Sequence, residues 1–498
     1  MHYKKRAKLL YVPSNFNVVT WMMGRGYSLR KINSHQDKFR HFVHSVATQA
    51  VLFENEKGWS YISSEILDEL YYNHRKWVID ELISGGVVEK NNSYKAGERC
   101  IGYRITPAYQ TKLLGETIFS EVFAANLERK QKLASKITAK GILVRNLRLM
   151  RIHHDAAHEY LEIKFSNSQK LLKVLHDLFG NSETLYQRYN EYLAKSGENE
   201  SFYSLANEEK FGRAMVKLPD VNGKKDVYLY LSNYLNSKFN KDYLAVESIR
   251  YKEFRASVSD VNNRLDTNIT NLSKVLRGCL HTTQKDQQCL FNVDIKNSQP
   301  FLLCIILIEQ FKGRYMPEDV KEYIQLTSSG KLYDSIMAHF RVPASQRNVF
   351  KKKLFATVFY CKAKYTAQTK EGKYFIKMFP SVARVISELK KPLPGMTKEE
   401  AANAYKQLPI RMQRIESHMV LKVIAPKLEK AGIFFQTVHD SFICYRKDAL
   451  LVKDIVVASF QEEHSLTPSV DVEELVEPIA DAKTEYEINK YLSYNFNI

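Results

Sequence analysis

Apolar and polar positions change period several times along this chain, and each change predicts an element. Residues 1–37 are basic and aromatic and show no clear period. From about 38 to 110 a compact pattern follows. Ile62-Ser63-Ser64-Glu65 reads as a capping-box helix start ahead of Ile66, Leu67 and Leu70. A second helix, about His74 to Ser84, presents Trp77, Val78, Leu82 and Ile83, and Gly85-Gly86 ends it. Val87–Lys90 and Gly102–Thr106 read as strands joined by the polar loop 91–99. Helix, turn, helix and a two-stranded wing with basic residues at its tip form a winged-helix-like pattern, a unit that docks on DNA or on other proteins.

Residues 116–200 read as mostly helical. Over 129–151, Arg129, Lys130, Lys132, Lys136, Lys140, Arg145, Arg148 and Arg151 interleave with Leu133, Ile137, Ile142, Leu143 and Leu147. One face of the predicted helix is apolar and the other basic, which suits either a solvated face or one that tracks phosphates. Ser196–Ser204 is polar and breaker-rich and reads as a loop.

The pattern sharpens after about residue 250. An alternating run ending at Val293 predicts a strand that delivers Asp294 to a polar turn, and the apolar run Phe301 to Ile308 predicts a buried helix to about Gln310. Helices follow near 318–327 and 331–340, then a long basic-apolar helix from about Ala344 past Tyr360. Tyr374–Lys390 is helical with a break at Phe379-Pro380, and Lys398 to about Glu429 is helical up to the stop at Gly432. Ile433–Val438 and Ser441–Tyr445 read as a hairpin turning at His439-Asp440, and a short strand near Ser469–Val472 lies between the last helices.

Composition narrows the classes. The chain of 498 residues is 44% hydrophobic and can bury a substantial core in two to four domains. Its 74 Lys and Arg against 55 Asp and Glu give a formal charge of +19, which favours a polyanionic partner. The cysteines, at 100, 279, 289, 304, 361 and 444, form no Cys-x-x-Cys pair or Cys/His cluster, which argues against zinc and for reduced thiols in the cytoplasm. No apolar run is long enough to cross a bilayer, and the first residues lack the apolar core of a signal peptide, so no membrane partner is expected.

The chemistry lies in the second half. An aspartate at a strand–helix junction is by itself most often a helix cap or a solvated turn residue. Here two, Asp294 and Asp440, end short predicted strands with a helical block between them. Side by side in one sheet they would form the paired carboxylates that two-metal phosphoryl transfer needs. On the intervening helix, Arg347, Lys351, Phe355 and Phe359 recur every fourth residue and share one face, two cations followed by two rings.

These residues resemble the motifs of the family A DNA polymerase and single-subunit, phage-type RNA polymerase superfamily. The strand ending at Asp294 resembles motif A, Arg347-x3-Lys351-x3-Phe355-x3-Phe359 resembles motif B, and Thr437-Val438-His439-Asp440-Ser441 resembles motif C. Asn263-Arg264-Leu265, Phe379-Pro380-x-Val382 and Met412-Gln413 resemble further family elements in the same order, so the resemblance covers about 255–498. It implies an α+β right-hand polymerase with palm, fingers and thumb, preceded by the winged-helix-like domain. The expected boundaries are 1–115 for that domain, 116–255 for a basic, thumb-like helical region, and 256–498 for palm and fingers, the fingers near 310–400.

The resemblance also implies roles. Asp294, Asp440 and the carbonyl of Ile295 would hold two Mg²⁺ ions, with Mn²⁺ as an alternative. Arg347 and Lys351 would bind the triphosphate, with Lys351 protonating the leaving pyrophosphate. Phe355 and Phe359 would shape the base pocket. His439 would meet the primer terminus, and Arg264 and Gln413 would grip the duplex. The expected partners are a DNA primer-template and dNTPs, with RNA as an alternative template or primer, and the N-terminal domain would bind DNA or a replication protein.

Three positions depart from the family pattern. The fifth residue after the motif A aspartate, glutamate in the DNA polymerases and glycine in the RNA polymerases, is Gln299, bulky enough to oppose a 2′-hydroxyl. The last motif B position, usually tyrosine, is Phe359, with Tyr360 beside it. Both favour dNTPs, whereas His439-Asp440-Ser441-Phe442 is nearer the RNA polymerase form. No paired Asp-x-Glu arrangement for a proofreading exonuclease stands out in residues 1–250. The expectation is thus a template-directed DNA polymerase without proofreading. The alternatives are an RNA polymerase or primase-polymerase using NTPs, and a winged-helix DNA-binding protein whose polymerase-like half is inactive.

Overall fold

The computed structural model describes residues 8–52, 59–91, 101–133, 141–179, 220–221, 224–225, 227–283 and 289–479. It mixes helix and sheet and divides into two compact units, one of 1–135, 154–247 and 478–498, the other of 136–153 and 248–477.

In the first unit the aperiodic start of the chain is structured. Strand Leu9–Pro13 pairs antiparallel with Leu113–Thr117, so a segment with few local signals is fixed by a partner about a hundred residues away. Helices Val18–Gly24 and Leu29–Leu52 follow. The longer one buries Ile32, Phe39, Phe42, Val43 and Val46, an apolar stripe at helical spacing that anchors the core. Helices Ser64–Tyr71 and Arg75–Ser84 fall where the periodicity predicts them. The capping box at Ser63 does not form, because its side chain makes no cap hydrogen bond. Strands Ser60–Tyr61, Gly102–Ile105 and Val88–Lys90 lie side by side in that order, with Gly102–Ile105 central. The tip of the predicted wing, 92–100, lies outside the described residues.

The basic helix expected over 129–151 is interrupted. Helix Glu121–Leu133 covers only its first residues, and 134–140 lies outside the described residues. Gly141, at φ +100°, is outside the helical region, and the chain resumes as the short helix Ile142–Leu147. Met150–Ile152 is then a strand paired with Leu280–Thr282, so Arg151 sits opposite His281 rather than on a helix face. Local amphipathicity is overridden by a non-local strand pairing.

The second unit is built on a four-stranded antiparallel sheet in the order Phe435–Val438, Ser441–Tyr445, Leu290–Ile295, Val470–Glu474. Leu290–Ile295 is therefore an inner strand, bonded on both sides. Asn297, at φ +53°, turns the chain into helix Ser298–Phe311, whose residues Phe301 to Leu307 are all buried, as the unbroken apolar run requires. The edge of Phe301 meets the ring of Phe460 from helix Ala449–His464. After strand Val470–Glu474 the chain passes Gly278, where an added Cβ would lie 1.8 Å from the Val476 carbonyl oxygen, so only glycine permits that approach.

Helices Glu318–Ser328, Leu332–His339, Arg347–Leu354, Lys370–Met378 and Pro380–Leu389 form a helical layer around Tyr323, Phe359, Phe375 and Phe379. The long helix expected through Tyr360 changes pitch. Phe355–Phe359 is a π-helical turn, closed by Tyr360 N donating to Phe355 O at 3.0 Å. Such a turn adds one residue to the helix and frees a carbonyl. Buried Lys390 donates to the Val358 carbonyl, and burial lowers its ammonium to about 8. Among the described residues no helix is long and apolar enough to cross a membrane.

Candidate active site

Asp294 is still within the inner strand, three residues before the helix cap Asn297, so it caps nothing. Its cross-strand neighbours are Ser441 on one side and Asp471 on the other. Directly opposed residues share a face at roughly 5 Å between Cα atoms. Asp440 immediately precedes Ser441, in the two-residue turn between Val438 and Ser441. His439, at φ +57°, makes that turn tight. The two predicted strands thus lie adjacent and bring the two aspartates together. Burial and the charge of Asp440 push the Asp294 carboxyl up to about 7, against the opposing pull of Lys351 and Lys274.

Arg277, which carries no motif signal, completes this cluster. Burial lowers its guanidinium, while Asp294 and Asp440 act in the opposite direction. Its Nε donates to the Leu272 carbonyl at 3.1 Å, which fixes the head group. Lys274 is tied to Glu473 at 3.0 Å. Two carboxylates are therefore faced by cations from two elements, the segment 274–277 and the helix bearing Lys351.

Lys351 reaches this point, but Arg347 does not stand free beside it. Arg347 Nε is 2.8 Å from Asp334 Oδ1, and both cations lie over the Tyr333 ring, at 5.7 and 5.8 Å. Phe355 lies on the same side, its ring 6.3 Å from that of Tyr333. The fourth member of the predicted series fails. Phe359 is fully buried, packed against Phe355 and Phe375, and has no surface for a ligand. The π-helical turn moves the facing position on by one, to Tyr360. Tyr360 is 41% exposed and 5.6 Å from the Phe355 ring. Counting every fourth residue finds Phe359; the inserted residue makes Tyr360 the one that faces outward.

A third carboxylate organises the remaining residues. Glu416, on helix Gln407–His418 and 2% exposed, lies 2.8 Å from Arg264 Nε and accepts from Arg264 Nη2 at 2.8 Å. It also accepts from Gln299 Nε2 at 2.8 Å. Burial and the charge of Asp440 push it up to about 7, against the pull of Arg264 and Gln299. Asn262 Nδ2 donates to Gln413 Oε1 at 3.1 Å, joining the segment before Arg264 to the same helix. Gln413 and Glu416 are i, i+3 on that helix, a spacing the sequence displays.

His439 closes the group. Burial and the charge of Arg264 lower its imidazole, with Asp440 opposing. Its buried Nδ1 has no hydrogen-bond partner, and neither has Gln299 Oε1. Asp294, Asp440, Lys351, Gln299, Arg264, Gln413 and His439 are brought into one connected region. Ile295 follows Asp294 on the strand, Arg347 and Phe355 flank it, and Phe359 is excluded.

No family model matches this chain, and no curated protein matches it. Among solved structures, the chain is similar to the polymerase domain of Pol1 from M. smegmatis in complex with a DNA primer-template and dNTP, at 12% identity and a TM-score of 0.44, covering 72% of this chain and 73% of that one.

Proposed function

We propose that this chain is a template-directed DNA polymerase that adds dNTPs to a 3′-hydroxyl. In this reading 256–498 forms palm and fingers, 116–255 a thumb-like region, and 1–115 a winged-helix-like domain. The observation that carries it is the pair Asp294 and Asp440. Asp294 lies on the inner strand and Asp440 in the turn that leads into the adjacent one, and the Asp294 carboxyl is raised by burial and the charge of Asp440 against the pull of Lys351, from the helix whose spacing resembles motif B.

The donor set fits hard divalent cations. The Asp294 carboxyl, raised by burial and the charge of Asp440, is relieved by bound positive charge, and all the donors, including the Ile295 carbonyl, are oxygens. Mg²⁺ or Mn²⁺ bound there supplies Lewis-acid activation of the attacking hydroxyl and charge neutralisation at the phosphate. Lys351 supplies charge, and a proton, to the leaving pyrophosphate. Arg347 turns from Asp334 to the triphosphate, one anionic partner replacing another. Phe355 and Tyr360 present the rings against which a base is held. Arg264, Gln413 and His439 meet the duplex.

Sugar choice falls to Gln299 and Tyr360. Gln299 is held by Glu416 and presents bulk where a 2′-hydroxyl would come. Tyr360, however, offers the hydroxyl that Phe359 lacks, which supports NTP use as a second reading. Within 1–115, the order helix, strand, helix, helix, strand, strand with the last strand central supports the winged-helix-like reading. Primer extension tests the whole. Wild type extends a DNA primer with Mg²⁺ and dNTPs, and Asp294→Ala and Asp440→Ala do not; extension with NTPs alone selects the second reading. No metal-dependent incorporation of either, or full incorporation by the variants, overturns both.

A further inference from the structure

Far from these aspartates along the chain, the first unit assembles a second set of chemistry-bearing side chains. His154 and His158 open helix His154–Phe179 one turn apart, and Glu247 lies near the end of helix Val227–Arg250. Glu247 is 2% exposed. Its Oε1 is 2.9 Å from His154 Nε2 and 3.0 Å from His158 Nε2, so two imidazoles from one helix converge on one oxygen from another. The ring centroids of the histidines are 3.9 Å apart, and one donor atom from each of the three residues lies within 4.8 Å of the others.

We infer that His154, His158 and Glu247 form a transition-metal site of the Zn²⁺ class, structural in function, that links these two helices. Tetrahedral zinc with bonds of about 2.0–2.1 Å to nitrogen and oxygen sets its ligand atoms roughly 3.3 Å apart. The imidazole–carboxylate separations fall a few tenths of an ångström short of that edge. Small rotations of the rings open room for the ion without moving either helix. Two imidazoles and one carboxylate suit Zn²⁺ or Co²⁺, unlike the all-oxygen set of Asp294 and Asp440. The fourth position is left for water.

One feature prepares the site. His154 Nδ1 is 3.1 Å from Asp155 Oδ1. A carboxylate there accepts a hydrogen bond from Nδ1–H, so that Nε2 is the atom turned to a bound ion, the second-sphere arrangement that orients metal-bound histidines. No cysteine takes part, so a search for Cys/His spacing passes over the site, whose carboxylate comes 93 residues after its first histidine.

The test uses the full chain carrying Asp294→Ala and Asp440→Ala, so that the proposed catalytic ions do not contribute and failure here leaves the polymerase reading untouched. After chelator treatment, Co²⁺ and then Zn²⁺ are titrated, with the visible absorption of tetrahedral Co²⁺ and the melting temperature as readouts. One tight ion per chain, a tetrahedral spectrum and a rise in melting temperature are expected. His158→Gln retains a donor for Glu247 but not the ligand. It should melt like the metal-free parent and bind the ion at least ~100-fold more weakly, beyond the ~10–100-fold expected for loss of a second-sphere partner. Absence of tight binding by the parent, or equal binding and equal stabilisation in His158→Gln, overturns the site and leaves a histidine–glutamate hydrogen-bonded cluster.

Discussion

Glu416 shows how one side chain couples stability to the candidate site. Its carboxyl is pushed up to about 7 from an ordinary 4.5, so the folded protein binds more protons than the unfolded chain between those values. Stability of the metal-free protein therefore falls as pH rises through that window, the sign for a raised carboxyl. A shift of this size corresponds to about 3 kcal/mol across the window. Urea titrations of Glu416→Gln should show a shallower decline than wild type over the same range; an unchanged slope would contradict the assignment. Nothing local in the sequence marks Glu416 as buried. Only its spacing from Gln413 places it on the face that holds Arg264 and Gln299, whereas Asp294 and Asp440 are legible because strand ends and a turn declare them.

At the scale of the element, the helix from Arg347 decides which aromatic side chain is available. Its start, its cations and its ring at Phe355 follow from ordinary helical spacing. The π-helical turn does not, because the extra residue is set by packing of Phe359 against Phe375 and by the Lys390 contact to Val358. Phe359 and Tyr360 should then separate cleanly on mutation. Phe359→Ala removes a fully buried ring and should cost about 3–5 kcal/mol of stability in chemical denaturation. Tyr360→Ala should leave stability within about 1 kcal/mol and raise the KM for nucleotide. If Phe359→Ala instead keeps its stability and loses nucleotide binding, the helix is regular in solution and Phe359 faces the site. The hairpin and inner strands were readable for the opposite reason, since alternation, apolar runs and a polar turn are local signals. Leu9–Pro13, whose partner lies about a hundred residues on, carries no such signal.

Across the whole molecule, the excess of cations is the feature that bears on partners. A formal charge of +19, with a basic amino-terminal half, suits a polyanionic partner, as the proposed function requires. Affinity for duplex DNA should fall roughly a thousand-fold or more between about 50 and 200 mM salt, if six or more phosphates are contacted. A flat salt response would remove nucleic acid as the partner.

The central claim rests on Asp294 and Asp440 acting together on a nucleotide chosen by a template. Single-nucleotide incorporation on four templates that differ in one base tests it most directly. The account predicts Mg²⁺-dependent addition of the complementary nucleotide alone, reduced roughly a thousand-fold or more by either alanine substitution, since each removes several kcal/mol of charge stabilisation. Addition that ignores the template base, or that survives in Asp294→Ala and Asp440→Ala, would contradict it.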